Sequence, residues 1–188
     1  MAKNLITRAE YKAYAGLTSP NHDQEIDQLI PKVSELVKTY CKRTFVDWLD
    51  DPKLEHFNGG YQTLLLEETP VAQILEVGYS QDYGQTYTPL VEYRDWVLDG
   101  NYIISVNPNG FSRVLRGYRV SYLAGYEAIP EDLKLAVLDL ITYYRKNDMA
   151  VHSSKAPGTN TVQIEYVTTT SLPAHIRRVL DFYRADYA

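Results

Sequence analysis

Apolar side chains recur every three to four residues in the first part of the chain, which is the spacing of one face of an α-helix. Thr7 followed by Glu10 is a capping-box pattern, so it predicts a short first helix that ends at Gly16. A longer helix with one apolar stripe is predicted over 23–43. Pro31 lies inside that stripe, and we expect it to kink or split the helix.

From about residue 54 to 126 the apolar period changes from 3.6 to 2, which is typical of β-strands. Turn signals separate the alternating runs, and Asp99-Gly100 is the clearest hairpin signal among them. The pattern predicts an antiparallel sheet of about four to six strands. The runs read YQTLLLE, VAQILEV, RDWVL, NYIISV and GYRVSYL.

Two further helices are predicted after the strands. The stretch 129–132, IPED, starts the first of them, which runs to about residue 147 and has apolar residues on more than one face. Since the chain has few helices to cover those faces, we expect another copy of the chain to cover part of them. The stretch 171–173, SLP, starts the final helix.

The order helices, strands, helices predicts an α+β fold. We expect residues 1–50 and 127–188 to form one small helical bundle, with an antiparallel β-rich region over 51–126 inserted between them. Residues 148–170 are polar and too long for a turn, which predicts a flexible arm within the helical part. Its second half alternates, so it is an extended arm or a strand that docks on a partner through Ile164 and Tyr166; plain disorder is the alternative.

Composition narrows the function classes. The 188 residues carry a net charge of −5, whereas a protein that grips DNA phosphates usually has a basic face. No run is apolar enough to span a bilayer and no secretory signal is evident, so we expect a cytoplasmic product and no membrane partner. Tyrosine is abundant, with 17 copies, which favours either protein interfaces or half-exposed strands.

Residues that could carry chemistry are few. Cys41 lies in the apolar stripe of the second helix and is interpreted as a small buried hydrophobe rather than a nucleophile. The four histidines lack the spacing of metal ligands. Asp47, Asp50 and Asp51 lack the glycine and the final glutamate of a calcium loop. We therefore expect no enzymatic activity, no metal and no cofactor.

The segment 78–89, GYSQDYGQTYTP, mixes Tyr79, Tyr83 and Tyr87 with small polar residues. This composition suits an adaptable contact loop for a partner, and an ordinary hairpin loop is the alternative. The same tyrosines, together with Trp96, also support a different hypothesis for the whole chain: a β-rich aromatic module that binds carbohydrate or peptide by stacking.

One long stretch, VSYLAGYEAIPEDLKLAVLDLITYYRKN, resembles the head–tail connector (head-completion or adaptor) proteins of tailed bacteriophages. In that family a strand ending in tyrosine, a small residue and glycine leads into a proline-started apolar helix. The segments LITRAEYKAY and YCKRTF near the N-terminus are similar to the family as well. The matching residues are Tyr122, Ala124, Gly125, Tyr126, Ile129, Pro130, Asp132 and Leu133, then Leu172, Pro173, Ile176, Leu180, Tyr183 and Arg184.

The resemblance implies a structural virion protein at the head–tail interface that is assembled in the host cytoplasm. It implies a ring of about twelve copies beneath the portal protein, which extends the DNA channel and offers a platform to a stopper or tail protein. Double-stranded DNA would pass through without specific binding. Docking of the final helix against the portal would make Arg177, Arg178, Tyr183 and Arg184 candidate portal contacts.

Overall fold

The computed structural model describes residues 3–146, 152–155, 162–165 and 172–185, the two short stretches by their backbone alone. The described residues form two compact units. Those within 4–41 and 130–184 form a helical unit, and those within 42–129, with Lys3 and Ala185, form a β unit. The boundary after the second helix therefore falls at Cys41 rather than at residue 50.

The helical unit is a bundle in which the second helix packs against the other three. The third helix also packs against the first and the fourth. Two antiparallel strands form a hairpin between the third and fourth helices along the chain. The elements are α1 (Arg8–Ala15), a 3₁₀ turn (Pro20–His22), α2 (Asp23–Cys41), α3 (Glu131–Lys146), β8 (His152–Lys155), β9 (Val162–Glu165) and α4 (Ala174–Tyr183).

The capping box of α1 is confirmed. Thr7 has an extended backbone with φ of −99°, and its side chain accepts a hydrogen bond from the Glu10 backbone N–H at 3.2 Å. Glu10 reciprocates, because its carboxylate accepts from the Thr7 backbone N–H at 2.7 Å. Gly16 ends the helix in the left-handed region with φ of 65°, a conformation that strains other residues.

α2 runs unbroken through Pro31, so the helix is not split there, whereas the alternative of a kink stays a prediction. Proline removes one backbone hydrogen bond inside a helix, but this residue lies on the exposed face. The apolar stripe is buried on both sides of it, at Ile26 and Ile30 before it and at Val33 and Val37 after it. Packing of both halves against the bundle keeps the helix continuous.

α3 is covered within a single copy of the chain. Six of its residues are buried: Leu133, Ala136, Val137, Leu138, Leu140 and Ile141. Leu135 is the large apolar residue of α3 that stays exposed, at 48%. Most of the apolar surface of α3 is therefore buried by α1, α2 and α4 within one copy, and coverage of the exposed remainder by a neighbouring copy stays a prediction.

The β unit contains two antiparallel sheets, so the expectation of one sheet is wrong, whereas the α+β class is confirmed. The four-stranded sheet has the order β1-β7-β3-β4 and the three-stranded sheet the order β2-β6-β5. Inward side chains of both sheets share one apolar core, which includes Leu64, Ile103, Val77 and Val120. The strands are β1 (Lys53–Phe57), β2 (Thr63–Leu65), β3 (Val71–Tyr79), β4 (Thr88–Pro89), β5 (Trp96–Asp99), β6 (Tyr102–Ser105) and β7 (Tyr118–Ala124).

The predicted hairpin at Asp99-Gly100 joins β5 to β6 and is confirmed, but its turn lies one residue later. Asp99 pairs with Tyr102, so Gly100 and Asn101 form the turn. Gly100 carries a positive φ of 60°, which explains the need for glycine there.

Candidate functional site

α4 displays a cationic and aromatic face. Arg177 and Arg178 are exposed, as predicted contacts should be. Phe182, which the sequence reasoning missed, is 79% exposed and lies four residues after Arg178, on the same side of the helix. We call Arg177, Arg178 and Phe182 the α4 face.

The other two predicted portal contacts also touch the bundle. The Tyr183 hydroxyl donates a hydrogen bond to the Asp132 carboxylate on α3 at 2.5 Å. The Arg184 guanidinium lies 5.9 Å from the centre of the Tyr40 ring on α2. Both side chains therefore help to anchor α4, although Arg184 remains exposed.

Of the three tyrosines in the predicted contact loop, one is largely exposed to solvent. Tyr79 ends β3, and its ring centre lies 5.1 Å from that of Tyr118. Tyr87 donates to the Arg116 carbonyl at 3.1 Å, and the Arg119 guanidinium lies 4.5 Å above its ring. Tyr83 alone among the three projects from the surface, with 69% exposure.

Asp82 fixes this loop from within. Its carboxylate accepts from the Ser80 and Thr86 hydroxyls, both at 2.6 Å, and from the Thr86 backbone N–H at 2.9 Å. These hydrogen bonds, that of Ser80 first, hold the pKa of Asp82 far below its usual value. Tyr83 and Gly84 follow with positive φ of 61° and 86°. The loop therefore presents Tyr83 at a tip that is already ordered.

A buried polar cluster lies beneath the four-stranded sheet. The Tyr122 hydroxyl donates to the Glu55 carboxylate and accepts from the Glu68 backbone N–H at 3.1 Å. Lys53 Nζ lies 2.8 Å from the Glu55 carboxylate. The Glu68 carboxylate accepts from the Thr44 backbone N–H at 3.1 Å. Burial raises the pKa of Glu68 and that of Tyr122.

The glycine of the family-like stretch also has a structural role. Gly125 has a φ of 123°, and a Cβ there would lie 2.4 Å from the Phe45 carbonyl oxygen. The neighbouring N–H groups of Ala124 and Tyr126 donate to the carbonyls of Trp48 and Phe45 at 3.0 and 2.7 Å. This stretch binds the segment after α2 to the end of β7.

The cysteine and two of the aspartates considered as catalytic or metal-binding residues form contacts within the fold. Cys41 is fully buried, and its thiol donates to the Leu180 carbonyl at 3.6 Å. Asp47 accepts from the Lys3 backbone N–H at 2.8 Å, and Asp50 forms an ion pair with the Lys3 ammonium group. Over the described parts of the chain, no group of three or more His, Cys, Asp or Glu side chains could hold a metal ion.

A surface groove of about 360 Å³ lies in the β unit. Its walls include the aromatic rings of Tyr79, Phe111 and Tyr118. Of the tyrosines in the predicted loop, Tyr79 lines it, whereas Tyr83 does not.

The predicted docking arm lies largely outside the described residues. Ile164 falls in β9, where the backbone alone is described. Tyr166 lies outside the described residues. Among the helices that are described, none combines the length and the apolar character that a membrane span requires.

Comparison with known proteins identifies relatives along nearly the whole chain. The family model described as "Head completion protein" matches residues 4–185. The "Head completion protein" of Escherichia phage T5 is 24% identical over 182 residues, which cover 96% of this chain and 98% of that protein.

Two solved structures share the fold. "Neck of empty GTA particle computed with C6 symmetry" has a TM-score of 0.63 at 14% identity, and the match covers 100% of this chain and 91% of the other. "Neck of native GTA particle computed with C12 symmetry" has a TM-score of 0.59 at 14% identity, with 100% and 97% covered. GTA denotes a gene transfer agent.

The family match extends well beyond the stretch 120–147, which carries most of the resemblance seen in the sequence. It confirms the expected kinship with phage head–tail connectors, and with it a place in the virion. The chain belongs to the Head completion protein family.

Proposed function

We propose that this chain is a structural head–tail connector that forms a ring of about twelve copies beneath the portal protein. The ring extends the DNA channel and offers a docking platform to the stopper or tail protein. The observation that carries the proposal is the family match over residues 4–185. The C6 and C12 symmetries named for the similar neck structures support a ring.

The α4 face is the proposed contact with the portal. Arginine and aromatic side chains are enriched among residues that dominate binding energies at protein interfaces. Arg177 and Arg178 are exposed beside Phe182, whose ring is 79% exposed. This combination suits an acidic surface with an apolar pocket. Tyr183 and Arg184 hold α4 against α2 and α3 and contribute at the rim of the contact.

DNA passes through the proposed channel without specific contacts. Affinity for DNA depends on Lys and Arg side chains that neutralise phosphates. The chain has 19 such residues against 24 carboxylates, which leaves a net charge of −5. A wall of this charge repels the phosphate backbone and lets the DNA slide.

Two further contacts belong to the proposal. The β8–β9 hairpin has two strands of four residues, and isolated hairpins of this size are marginally stable in water. We therefore propose that the arm with Ile164 and Tyr166 becomes stable when it docks on a partner. Tyr83 is the member of the tyrosine loop that can reach a partner.

Most of the rings named for the alternative, an aromatic module for carbohydrate or peptide, are engaged within the fold. Trp96 is 5% exposed, and the rings of Tyr79 and Tyr87 pack against Tyr118 and Arg119. Of the four aromatic residues named for that module, Tyr83 alone is largely exposed.

The proposal is tested by mixing the purified chain with the purified portal protein of the same phage. Light scattering and negative-stain microscopy should show rings of the chain, formed either alone or on the portal. A chain that neither forms rings nor binds the portal would contradict the connector role.

Variants of the α4 face test the portal contact separately. Replacing Arg177 and Arg178 by alanine together should weaken portal binding at least about tenfold, since each lost charged contact at an interface is worth about 1–3 kcal/mol. Arg94→Ala is the matched control, because that exposed arginine lies in the β unit and pairs with Asp95 at 2.8 Å. If the double variant and the control bind the portal protein with equal affinity, the portal contact does not lie on α4.

A further inference from the structure

Three loops meet at one end of the four-stranded sheet, where β1 and β3 end and β7 begins. The Gly59 N–H donates to the Val114 carbonyl at 2.9 Å. The Arg116 N–H donates to the Asn58 side chain at 2.8 Å. The Tyr87 hydroxyl donates to the Arg116 carbonyl at 3.1 Å. The loops therefore form one continuous surface rather than three independent segments.

This surface combines large apolar side chains with unpaired arginines. Tyr61, Tyr83 and Leu115 are 68%, 69% and 61% exposed. Arg113 and Arg116 are exposed, and neither forms an ion pair with a described residue. We call these five residues the basic end of the sheet.

The acids nearby do not neutralise the basic end. The Asp82 carboxylate is bonded within its own loop, to Ser80 and Thr86. Glu76 pairs with Arg119 at 2.6 Å. Burial, together with the charges of Arg116 and Arg119, lowers the pKa of the nearby His56. Two arginine charges are left for a partner.

The opposite end of the same sheet is acidic. Asp51 precedes β1 and Glu127 follows β7, and both are exposed. Asp50 and Glu67 are also exposed, although Lys3 and Lys53 pair with them. Lys42 is the exposed basic residue of this region within the part of the chain that the structure describes. We call Asp50, Asp51, Glu67 and Glu127 the acidic end. Leu54, 52% exposed on β1, adds an apolar contact beside it.

The two ends cannot meet within one copy. β3 runs the length of the sheet with nine residues, and at about 3.3 Å per residue it is roughly 30 Å long. A ring of more than two copies is built by head-to-tail contacts, in which one surface of each copy binds a different surface of the next. One sheet that carries complementary charges at its two ends meets this requirement.

We propose that the basic end of one copy binds the acidic end of the next copy, and that this contact closes the ring. The inference rests on the ring of the proposed function and identifies the surfaces that form it. Arg113 and Arg116 face Asp51 and Glu127 of the neighbouring copy, and Tyr61, Tyr83 and Leu115 exclude water around these pairs.

A second copy fits this surface better than DNA does. DNA-binding surfaces present many basic residues and depend on phosphate contacts. The basic end offers two unpaired arginines among three large apolar side chains, which is the composition of a protein contact. The acidic end of the same chain supplies the complementary charge.

Paired charge reversals test the contact. In the first variant Arg113 and Arg116 are both replaced by glutamate, so that acidic surfaces face each other. In the second, Asp51 and Glu127 are both replaced by arginine, so that basic surfaces face each other. Like charges that oppose each other across an interface prevent association. Each variant alone should therefore remain monomeric under conditions in which the wild type forms rings.

An equimolar mixture of the two variants should form rings again. In the mixture the reversed end of the first variant binds the reversed end of the second, and the native basic end of the second binds the native acidic end of the first. Every contact then joins opposite charges, and the two variants alternate around the ring. Such a ring closes only with an even number of copies, which about twelve satisfies. Sedimentation velocity and negative-stain microscopy measure the assembly, with and without the purified portal protein. Glu92→Lys, an exposed charge change at neither end, is the matched control and should assemble like the wild type.

The outcomes separate this inference from the proposed function. If the wild type forms rings and each reversed variant alone does so as well, the proposed ring is supported but this contact is wrong. The contact is also wrong if both variants are folded by circular dichroism yet their mixture stays monomeric. A wild type that stays monomeric even with the portal protein contradicts the ring itself. Loss of DNA binding without loss of assembly in the first variant would assign the basic end to DNA.

Discussion

The hydroxyl group of Tyr122 joins three segments of the β unit at the scale of single residues. It lies on β7, donates to Glu55 on β1 and accepts from the Glu68 N–H in the loop before β3. Tyr122 itself is fully buried. A polar group in such a place must be hydrogen-bonded, because an unpaired buried group is costly. The family-like tyrosine is therefore a structural residue.

Replacing this tyrosine by phenylalanine should destabilise the fold. Tyr122→Phe removes the hydroxyl. The Glu68 N–H then loses its hydrogen-bond acceptor, and the Glu55 carboxylate loses one hydrogen-bond donor. We expect a loss of about 1–3 kcal/mol in the free energy of unfolding. Urea denaturation measures it. Tyr83→Phe, at an exposed ring, is the matched control and should change stability by less than about 0.5 kcal/mol. Equal effects of the two variants would show that the buried hydroxyl contributes nothing.

Glu68 should give the stability a measurable dependence on pH. Burial raises the pKa of its carboxyl above the ordinary 4.5, so in that range the folded state binds a proton more tightly than the unfolded state does. The stabilisation that this raised pKa adds to the free energy of unfolding is fully present below pH 4.5. It is lost as the pH rises through the folded-state pKa. The unfolding free energy of the wild type should therefore fall across this window relative to that of Glu68→Gln.

The measurement is urea denaturation of both proteins at several pH values between 4.5 and 7. The difference between their unfolding free energies should change with pH, in favour of the wild type at the acidic end of this range. Glu127→Gln, at an exposed carboxylate, serves as the control. A difference between wild type and Glu68→Gln that stays constant over the whole range would contradict the prediction.

Single residues also mark the limit of what the sequence could reveal. The capping role of Thr7 is local, because its partner lies three residues away, and it was predicted correctly. The Glu68 backbone N–H donates to Tyr122, a residue 54 positions along the chain, and no short-range pattern signals this contact. Phe182 lies four residues after Arg178, off the stripe of Ile176 and Leu180, so helical spacing could have placed it on the exposed face of α4.

At the scale of elements, Pro31 shows packing prevailing over local propensity. The ring prevents one backbone hydrogen bond inside α2, yet the helix continues because its apolar stripe is buried on both sides. The residue itself is exposed, so nothing in the core requires proline at this position.

Pro31→Ala should therefore stabilise the protein. The restored hydrogen bond and the better helix propensity are worth up to about 3 kcal/mol, reduced by the greater entropy of the unfolded chain. We expect a net gain of about 1–2 kcal/mol in the free energy of unfolding, measured by thermal or urea denaturation. Pro130→Ala is the control, since this proline precedes α3, where a backbone N–H has no partner inside the helix. An unchanged or lower stability of Pro31→Ala would show that the proline fits α2 without strain.

The strands illustrate what period and turns can and cannot predict. Alternation and turn signals correctly located β3, β5, β6 and β7 and the hairpin between β5 and β6. β1 was missed because its sequence, KLEHF, is mostly charged or polar and forms an edge of its sheet. The division into two sheets depends on which strands pair at long range, and no alternation pattern contains that information.

At the scale of the whole molecule, the helical unit buries most of its apolar side chains within one copy. Six apolar residues of α3 are buried by α1, α2 and α4 within one copy. Exposed large apolar side chains remain on both units; they include Leu36, Leu135 and Phe182 on the helices and Tyr61, Tyr83, Tyr93 and Leu115 in the β unit. A protein of this kind can fold first as a single copy and assemble afterwards.

Folding before assembly predicts that the single copy is stable by itself. Below the concentration at which copies associate, the melting temperature should not change over about a hundredfold dilution, in contrast to an obligate oligomer. Leu138→Ala should cost about 2–5 kcal/mol because the side chain is buried, whereas Leu135→Ala, at an exposed site on the same helix, should cost much less. A melting temperature that falls steadily with dilution, or equal losses in the two variants, would show that a neighbour covers α3.

The deep position of Cys41 has a practical consequence for following assembly. It is the only cysteine in the sequence, and its thiol is fully buried on α2. Maleimide dyes should leave it untouched in the native protein, so that a new cysteine at an exposed site would accept a fluorophore selectively. Energy transfer between dyes on neighbouring copies would then report, in real time, when one molecule joins the next.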